Sequence, residues 1–293
     1  MKPERMVEGV RLSNPGKVLY PEQGITKGEL AEYYVAVAER MLAHVAYRPV
    51  TMVRCPMGQD TKCFYQRHAG SGVAEQLKLV TIPGFEEPYL YIVDVGGLVA
   101  MVQMGVLEMH PWGVRVERPD CADRIVFDLD PAEGLGFEAV IAAAKEVRDR
   151  LKALGLTSFV KTTGGKGLHV VVPVEPTAAW REVKSFAKAV SAEMAADSPE
   201  KYLTKISKAE REGRIFIDYL RNDPTSTAVA PYSTRSRKGA PVAMPIRWDQ
   251  VKAGLDPCDY TVATVPGLIA KQRSDPWAEL LEVKQKLPDS PRG

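Results

Sequence analysis

The residues best suited to chemistry are the two carboxylates in Asp123-Arg124-Ile125-Val126-Phe127-Asp128-Leu129-Asp130-Pro131. Ile125, Val126 and Phe127 are branched or aromatic, as a buried strand wants, and Pro131 should end that strand. Residues two apart on a strand point to the same side, so Asp128 and Asp130 should face one way. Like charges held there repel unless a cation lies between them. Mg²⁺ or Mn²⁺ suits such oxygen ligands, and nucleotide phosphates would complete the shell. A lone D-x-D also fits a solvated strand end, so the wider pattern has to decide. Ile215-Phe216-Ile217-Asp218 repeats the theme of an apolar run ending in aspartate. Three carboxylates at two strand ends are the ligand set of a two-metal phosphoryl-transfer site.

Groups that could hold an anion surround these carboxylates in the chain. Thr162-Thr163-Gly164-Gly165-Lys166-Gly167 lies between two apolar runs, with His169 two residues beyond. Its glycines let backbone N–H groups approach a phosphate, and Lys166 adds charge. This is not a Walker A loop, because no helix pattern follows and no Ser or Thr succeeds the lysine. Arg235 and Arg237 point the same way if extended, which suits a triphosphate. Lys17 and Lys27 flank Thr26-Lys27-Gly28-Glu29, whose spacing is that of a capping box. A helix start there would offer free backbone N–H groups and positive potential to a phosphate. Phe64 and Tyr65 cannot both point inward on an extended segment, and an exposed ring beside Lys62 and Arg67 suits stacking on a base.

Regular elements must position these groups. Leu30, Tyr33, Tyr34, Val37, Met41 and Val45 recur at helical spacing, as do Phe137 to Leu151 and Trp180 to Met194. Further helices are expected over Gly96–Met109, ending at His110-Pro111, over Pro199–Ala209, and across Val262–Gln285. Strands are expected at Pro49–Arg54, Leu77–Ile82, Tyr89–Val93, Ser158–Lys161, Leu168–Val174 and Val242–Ile246. The chain has 293 residues, 45% hydrophobic and 26% charged, with a net charge of only +2, so any nucleic-acid surface must be local. Cys55, Cys63, Cys121 and Cys258 show no C-x-x-C spacing, which suggests neither a zinc site nor a disulfide framework. Without a long apolar run or a signal peptide, a cytoplasmic protein and no membrane partner are expected.

Taken together, the motifs resemble the polymerase domain of bacterial ligase D, in the archaeo-eukaryotic primase superfamily. The resemblance spans Asn14 to about Pro276. It rests on Asn14/Lys17 and Thr26-Lys27, Arg48-Pro49-Val50-Thr51, Phe64-Tyr65, His110-Pro111-Trp112, Phe127-Asp128-Leu129-Asp130-Pro131, Thr163-Gly164-Gly165-Lys166-Gly167-Leu168-His169, Asp218-Tyr219 and Tyr232 to Val242. Thr163 stands where the family usually has serine, and the hydroxyl is kept. The resemblance implies an α/β fold of the α+β kind. A mixed-sheet, primase-like catalytic part (about 96–293) would be flanked by helices, with an N-terminal α/β extension (about 1–95), all in a single domain over 1–293. It implies a template-directed nucleotidyltransferase of non-homologous end joining, acting on DNA ends, gaps or 3′ overhangs with NTP or dNTP. Ribonucleotides and Mn²⁺ would be preferred, over two metal ions, with Ku and a DNA ligase as partners.

Residue by residue, it makes Asp128, Asp130 and Asp218 the metal ligands and catalytic residues. His110, Thr163, Gly165, Lys166, His169, Arg235 and Arg237 would bind nucleotide. Asn14, Lys17 and Lys27 would hold a DNA 5′-phosphate, and Phe64 with Tyr65 would stack on DNA. Two other readings compete. A haloacid-dehalogenase-type phosphatase also carries D-x-D at a strand end, but it has threonine two residues after the second aspartate, where Ala132 stands. A non-catalytic end-bridging module would use the phosphate pocket and rings without needing the three aspartates.

Overall fold

The computed structural model describes residues 4–70, 73–205 and 210–288. These divide into two compact units, both discontinuous in sequence. The first takes the described residues of Met1–Trp112 with Val229–Met244 and Cys258–Asp275. The second takes those of Gly113–Ala228 and Pro276–Gly293, with Pro245–Pro257.

In the first unit, β1 (Glu4–Val7) pairs with β2 (Val10–Ser13), and β3 (Val18–Tyr20) with β4 (Ile25–Thr26). Helix α1 (Lys27–Val45) begins with the expected capping box between Thr26 and Glu29. It buries Leu30, Tyr33, Tyr34, Val37, Met41 and Val45. Strand β5 (Val50–Arg54) pairs antiparallel with β6 (Phe64–Gln66), β8 (Tyr89–Tyr91) and β9 (Val106–Pro111), while β7 (Lys78–Val80) pairs with β8.

Two expectations fail in this unit. The helix expected over 96–109 ends early: α2 spans Val95–Gln103, and Gly105 turns the chain at φ +77°. The residues after it join β5 as β9, so His110 lies on a strand and not at a helix end. Periodicity could not separate these states in a run apolar on all sides; an available strand edge did. Cys55 and Cys63 form a disulfide, although the cysteine spacing suggested no disulfide framework. The β5–β6 register pairs Arg54 with Phe64, which sets the two cysteines opposite each other one step further along, with Cα atoms 4.4 Å apart. Spacing alone carries no register.

The second unit is built on a six-stranded mixed sheet. In chain order its elements are β10 (Arg124–Pro131), α3 (Phe137–Ala153), β11 (Phe159–Thr162), β12 (Leu168–Pro173), α4 (Trp180–Asp197), β13 (Tyr202–Leu203), β14 (Ile215–Asp218) and β15 (Pro245–Ile246). The spatial order is β13-β14-β10-β12-β11-β15, with only β13 and β14 parallel. Helix α3 buries Val140, Ile141, Ala144, Val147 and Leu151, and α4 buries Trp180, Val183, Phe186, Val190 and Met194. Gly155, at φ +77°, closes α3 as its C′ residue, with Leu156 N–H reaching back to Leu151 O.

Other boundaries move. Pro199–Ala209 does not form the expected helix over its described part: Tyr202 and Leu203 pair with β14, and 206–209 lie outside the described residues. The sequence also places a local basic patch at Lys205, Lys208, Arg211 and Arg214, of which Lys208 lies outside the described residues. In the expected last strand only Pro245–Ile246 pairs with a neighbouring strand, although Val242 makes an isolated bridge to Thr234. In the C-terminal stretch the helix α5 covers Val265–Lys271, and Ala278–Leu281 makes a 3₁₀ turn.

Candidate active site

Strand register assembles the carboxylates. On β10, Asp128 lies opposite Asp218 of β14 on one side and opposite His169 of β12 on the other. His169 in turn lies opposite Lys161 of β11. Residues directly opposite in a sheet share a face, so Asp218, Asp128, His169 and Lys161 form one row across four strands. Asp130, two residues on from Asp128, belongs to the same face. Gly167 permits the β12 side of this row: a Cβ there would lie 2.4 Å from Leu129 O. Asn222 supports it from beyond the end of β14, its side chain accepting from Val126 N–H and donating to Val126 O, each at 2.8 Å.

Cations in the chain already occupy these carboxylates. The Arg221 guanidinium bridges Asp128 and Asp218 at 3.1 and 3.2 Å, and Arg211 holds Asp130 at 2.9 Å while stacking over Phe216. His169 Nε2 lies 3.3 Å from Asp128. Burial by itself would raise Asp128, but His169, Arg221 and Lys161 outweigh it and hold the carboxyl well below the usual range. Burial and then the Lys161 charge push His169 down to about 4, against the pull of Asp128, so a neutral ring donates to the carboxylate. Burial first, then Asp128, push Asp130 up despite Arg211; burial likewise raises Asp218 despite Arg221. Among the described residues no group of three His, Cys, Asp or Glu side chains stands in metal-holding geometry. Hard carboxylate oxygens suit Mg²⁺ or Mn²⁺, and the bridging guanidinium shows that Asp128 and Asp218 take a shared positive charge.

The glycine loop joins β11 to β12. Thr163 Oγ1 donates to Gly167 O, which ties the loop, and Gly164 takes φ +64°. Thr163 is buried, Gly165 half-buried and Lys166 exposed at the tip.

In the first unit, Glu108 gathers the candidate nucleotide contacts. Its Oε2 accepts from His110 Nε2 and Arg235 Nε, both at 2.8 Å; its Oε1 accepts from Ser236 N–H at 2.8 Å and Ser236 Oγ at 2.6 Å. Arg235 arrives from far along the chain because Ala230 N–H bonds Met109 O and Ser233 Oγ accepts from Met109 N–H. Burial would raise Glu108, yet His110 and Arg235 hold it below the usual range. Arg237 does not share this cluster. The chain is not extended there; a turn closed by Ala240 N–H to Arg237 O leaves Arg237 exposed.

Lys17 and Lys27 come together as expected, but by another route than an open helix end. Lys27 N–H and Gly28 N–H bond Lys17 O and Pro15 O, and Glu29 N–H bonds Thr26 Oγ1, so the first N–H groups of α1 are taken. The ammonium groups remain. Burial and then the Lys17 charge push Lys27 down, a strain that a bound anion would relieve. Asn14, at φ +51°, shapes the turn before Lys17. Lys17 Nζ donates to Pro56 O at 2.6 Å, inside the disulfide-closed loop, and Lys27 Nζ to Ser13 O at 2.9 Å. Phe64 and Tyr65 are both exposed, 41% and 69%, where only one exposed ring was expected. Arg54 covers the Phe64 ring, and Tyr65 meets His110 edge-on at 6.2 Å.

Residues 26–277 match the family model of the LigD primase-polymerase domain. The chain belongs to that family. It is 36% identical over 284 residues to the multifunctional non-homologous end joining protein LigD of Pseudomonas aeruginosa, covering 95% of this chain and 34% of that protein. The bifunctional LigD of Bacillus subtilis is 28% identical over 259 residues, 42% of its length. The chain therefore spans about a third to two fifths of these relatives. Among solved structures, the polymerase domain of Mycobacterium tuberculosis ligase D in complex with DNA superposes with a TM-score of 0.85 at 32% identity, covering 92% of this chain and 97% of that one. Functional candidates that the sequence reading passed over are Glu108 in the first unit and Lys161, Arg221 and Asn222 in the second; Arg211 was read only as part of a basic patch. Glu108 was detectable as the i,i+2 partner of His110 had that segment been read as a strand; the others had no local signal.

Proposed function

We propose that this chain is a template-directed nucleotidyltransferase that extends a primer 3′-OH at DNA ends or gaps during non-homologous end joining. The observation that carries this reading is the in-register row of Asp218, Asp128 and His169, with Asp130 on the same face. Asp128, Asp130 and Asp218 would hold two divalent ions, Mn²⁺ in preference to Mg²⁺. When bound, such ions activate the attacking oxygen and steady the leaving pyrophosphate. The chain's own groups bind and orient. In the second unit Lys166 is the phosphate contact, with Thr163, Gly165 and His169 as further nucleotide contacts; in the first unit Arg235 and Arg237 are phosphate contacts, with His110 as a further nucleotide contact. Lys17 and Lys27, with Asn14, hold a downstream 5′-phosphate, and Phe64 and Tyr65 stack on DNA beside it. Ribonucleotides are the preferred substrates, and Ku and a DNA ligase are the partners in the nucleoid.

The test is primer extension on a gapped duplex bearing a 5′-phosphate, comparing rNTP with dNTP and Mn²⁺ with Mg²⁺. Asp128→Ala and Asp130→Ala should abolish addition while DNA affinity stays near wild type. The exposed rings and lysine pair would also serve an end-bridging module. Tight binding of DNA ends without extension under either metal would leave that reading in place.

A further inference from the structure

We propose that Glu108 is a positioning residue that fixes His110 and Arg235 for nucleotide binding; this rests on the nucleotidyltransferase reading above. The argument begins with capacity. A carboxylate offers about four acceptor positions, two on each oxygen. In Glu108 four donors take them: His110 Nε2 and Arg235 Nε on Oε2, Ser236 N–H and Ser236 Oγ on Oε1. No acceptor position is left over for a metal, a substrate hydroxyl or a proton in transit. The Glu108 side chain is 5% exposed, against 10% for His110 and 14% for Arg235. Its action is therefore directed at its neighbours.

Each contact sets something that a nucleotide site needs. A bond from His110 Nε2 to a carboxylate places the proton on that nitrogen and turns the ring. A bond from Arg235 Nε fixes the plane of a guanidinium, whose terminal amino groups are those that grip phosphate as a fork. The two Ser236 contacts pin the backbone that follows Arg235. Glu108 and His110 stand two apart on β9, opposite Val53 and Thr51 of β5, so one strand face carries both. Tyr65, exposed beside His110, continues the same group of side chains. A buried carboxylate is tolerable only when fully paired, and here its pairing reaches His110 and Arg235, two of the three candidate nucleotide contacts of this unit.

Glu108→Gln keeps the shape but replaces one acceptor oxygen with a donor. In primer extension it should raise the nucleotide KM about 10- to 100-fold, with kcat changed less than about threefold and affinity for gapped DNA within about twofold. A purely structural role would lower kcat, KM and DNA binding together. Ser236→Ala removes a single contact and keeps the fold, and it should raise KM by a few-fold. Nitrogen-15 NMR of the histidine rings, with His110 assigned through His110→Gln, reads the same point without catalysis. The wild-type ring should carry its proton on Nε2 near neutral pH, and Glu108→Gln should shift the tautomer balance. Unchanged KM in folded Glu108→Gln, or a wild-type His110 protonated only on Nδ1, overturns the positioning role. Wild-type protein that extends no primer overturns the nucleotidyltransferase reading instead, while the NMR result still decides whether Glu108 orients the ring.

Discussion

Gly167→Ala tests the claim that backbone contact between β10 and β12 sets the carboxylate row. The added Cβ would stand 2.4 Å from Leu129 O, between Asp128 and Asp130 in sequence. An ordinary contact begins near 3.4 Å, so the strands must part by about 1 Å. The obstacle is a backbone carbonyl in a paired strand, Leu129 facing Leu168, and no rotamer change relieves it. Overpacking of this kind costs about 1–3 kcal/mol. For a chain of this size that is a fall in Tm of roughly 2–12 °C. A displacement of about 1 Å at positioned groups can lower a rate by about 100-fold. Gly136→Ala is the control: its Cβ meets nothing within 4 Å and its φ is −66°. Thermal melts followed by circular dichroism, with single-nucleotide extension rates, provide both readouts. A Gly167→Ala protein with wild-type Tm and extension would refute the idea that this close approach aligns Asp128 with His169.

Three further outcomes are expected. Lys17→Ala/Lys27→Ala should lose the preference for 5′-phosphorylated over hydroxyl-ended gaps, and the lost preference should shrink as salt rises; equilibrium binding to matched duplexes decides it, and undiminished discrimination would place the phosphate site elsewhere. Glu108 is held below the usual carboxylate range because His110 and Arg235 outweigh burial. A depressed carboxyl contributes stability that is present above its unfolded pKa of about 4.3 and is lost as pH falls through the folded value, so denaturant melts from pH 6 to 3 should show a steeper loss for wild type than for Glu108→Gln. Equal slopes would remove Glu108 from the acid response. The Cys55–Cys63 bridge closes a loop of sequence separation 8, and its reduction should lower the unfolding free energy by about 2–3 kcal/mol, read as a drop in melting midpoint with reductant that Cys55→Ala/Cys63→Ala does not show.

Much of this protein was legible one residue at a time. The capping box at Thr26, the apolar stripes of α1, α3 and α4, and the alternation that aims Asp128 and Asp130 to one side are local rules, because helix and strand periods act over a few residues. The motif set was specific enough to identify the family from the chain alone. Tertiary structure decided what depends on register and return. Nothing near Asp218 in sequence says that it pairs with Asp128, nor that His169 and Lys161 complete the row; that is a choice among strand alignments, made by the burial of whole faces. Gly105 and the waiting edge of β5 turned an apolar run into the strand that carries Glu108 and His110. Cys55 met Cys63 for the same reason, through the β5–β6 register. Arg235 reached Glu108 only because the chain leaves the first unit at Trp112 and comes back at Val229, a long-range return that local propensity does not encode.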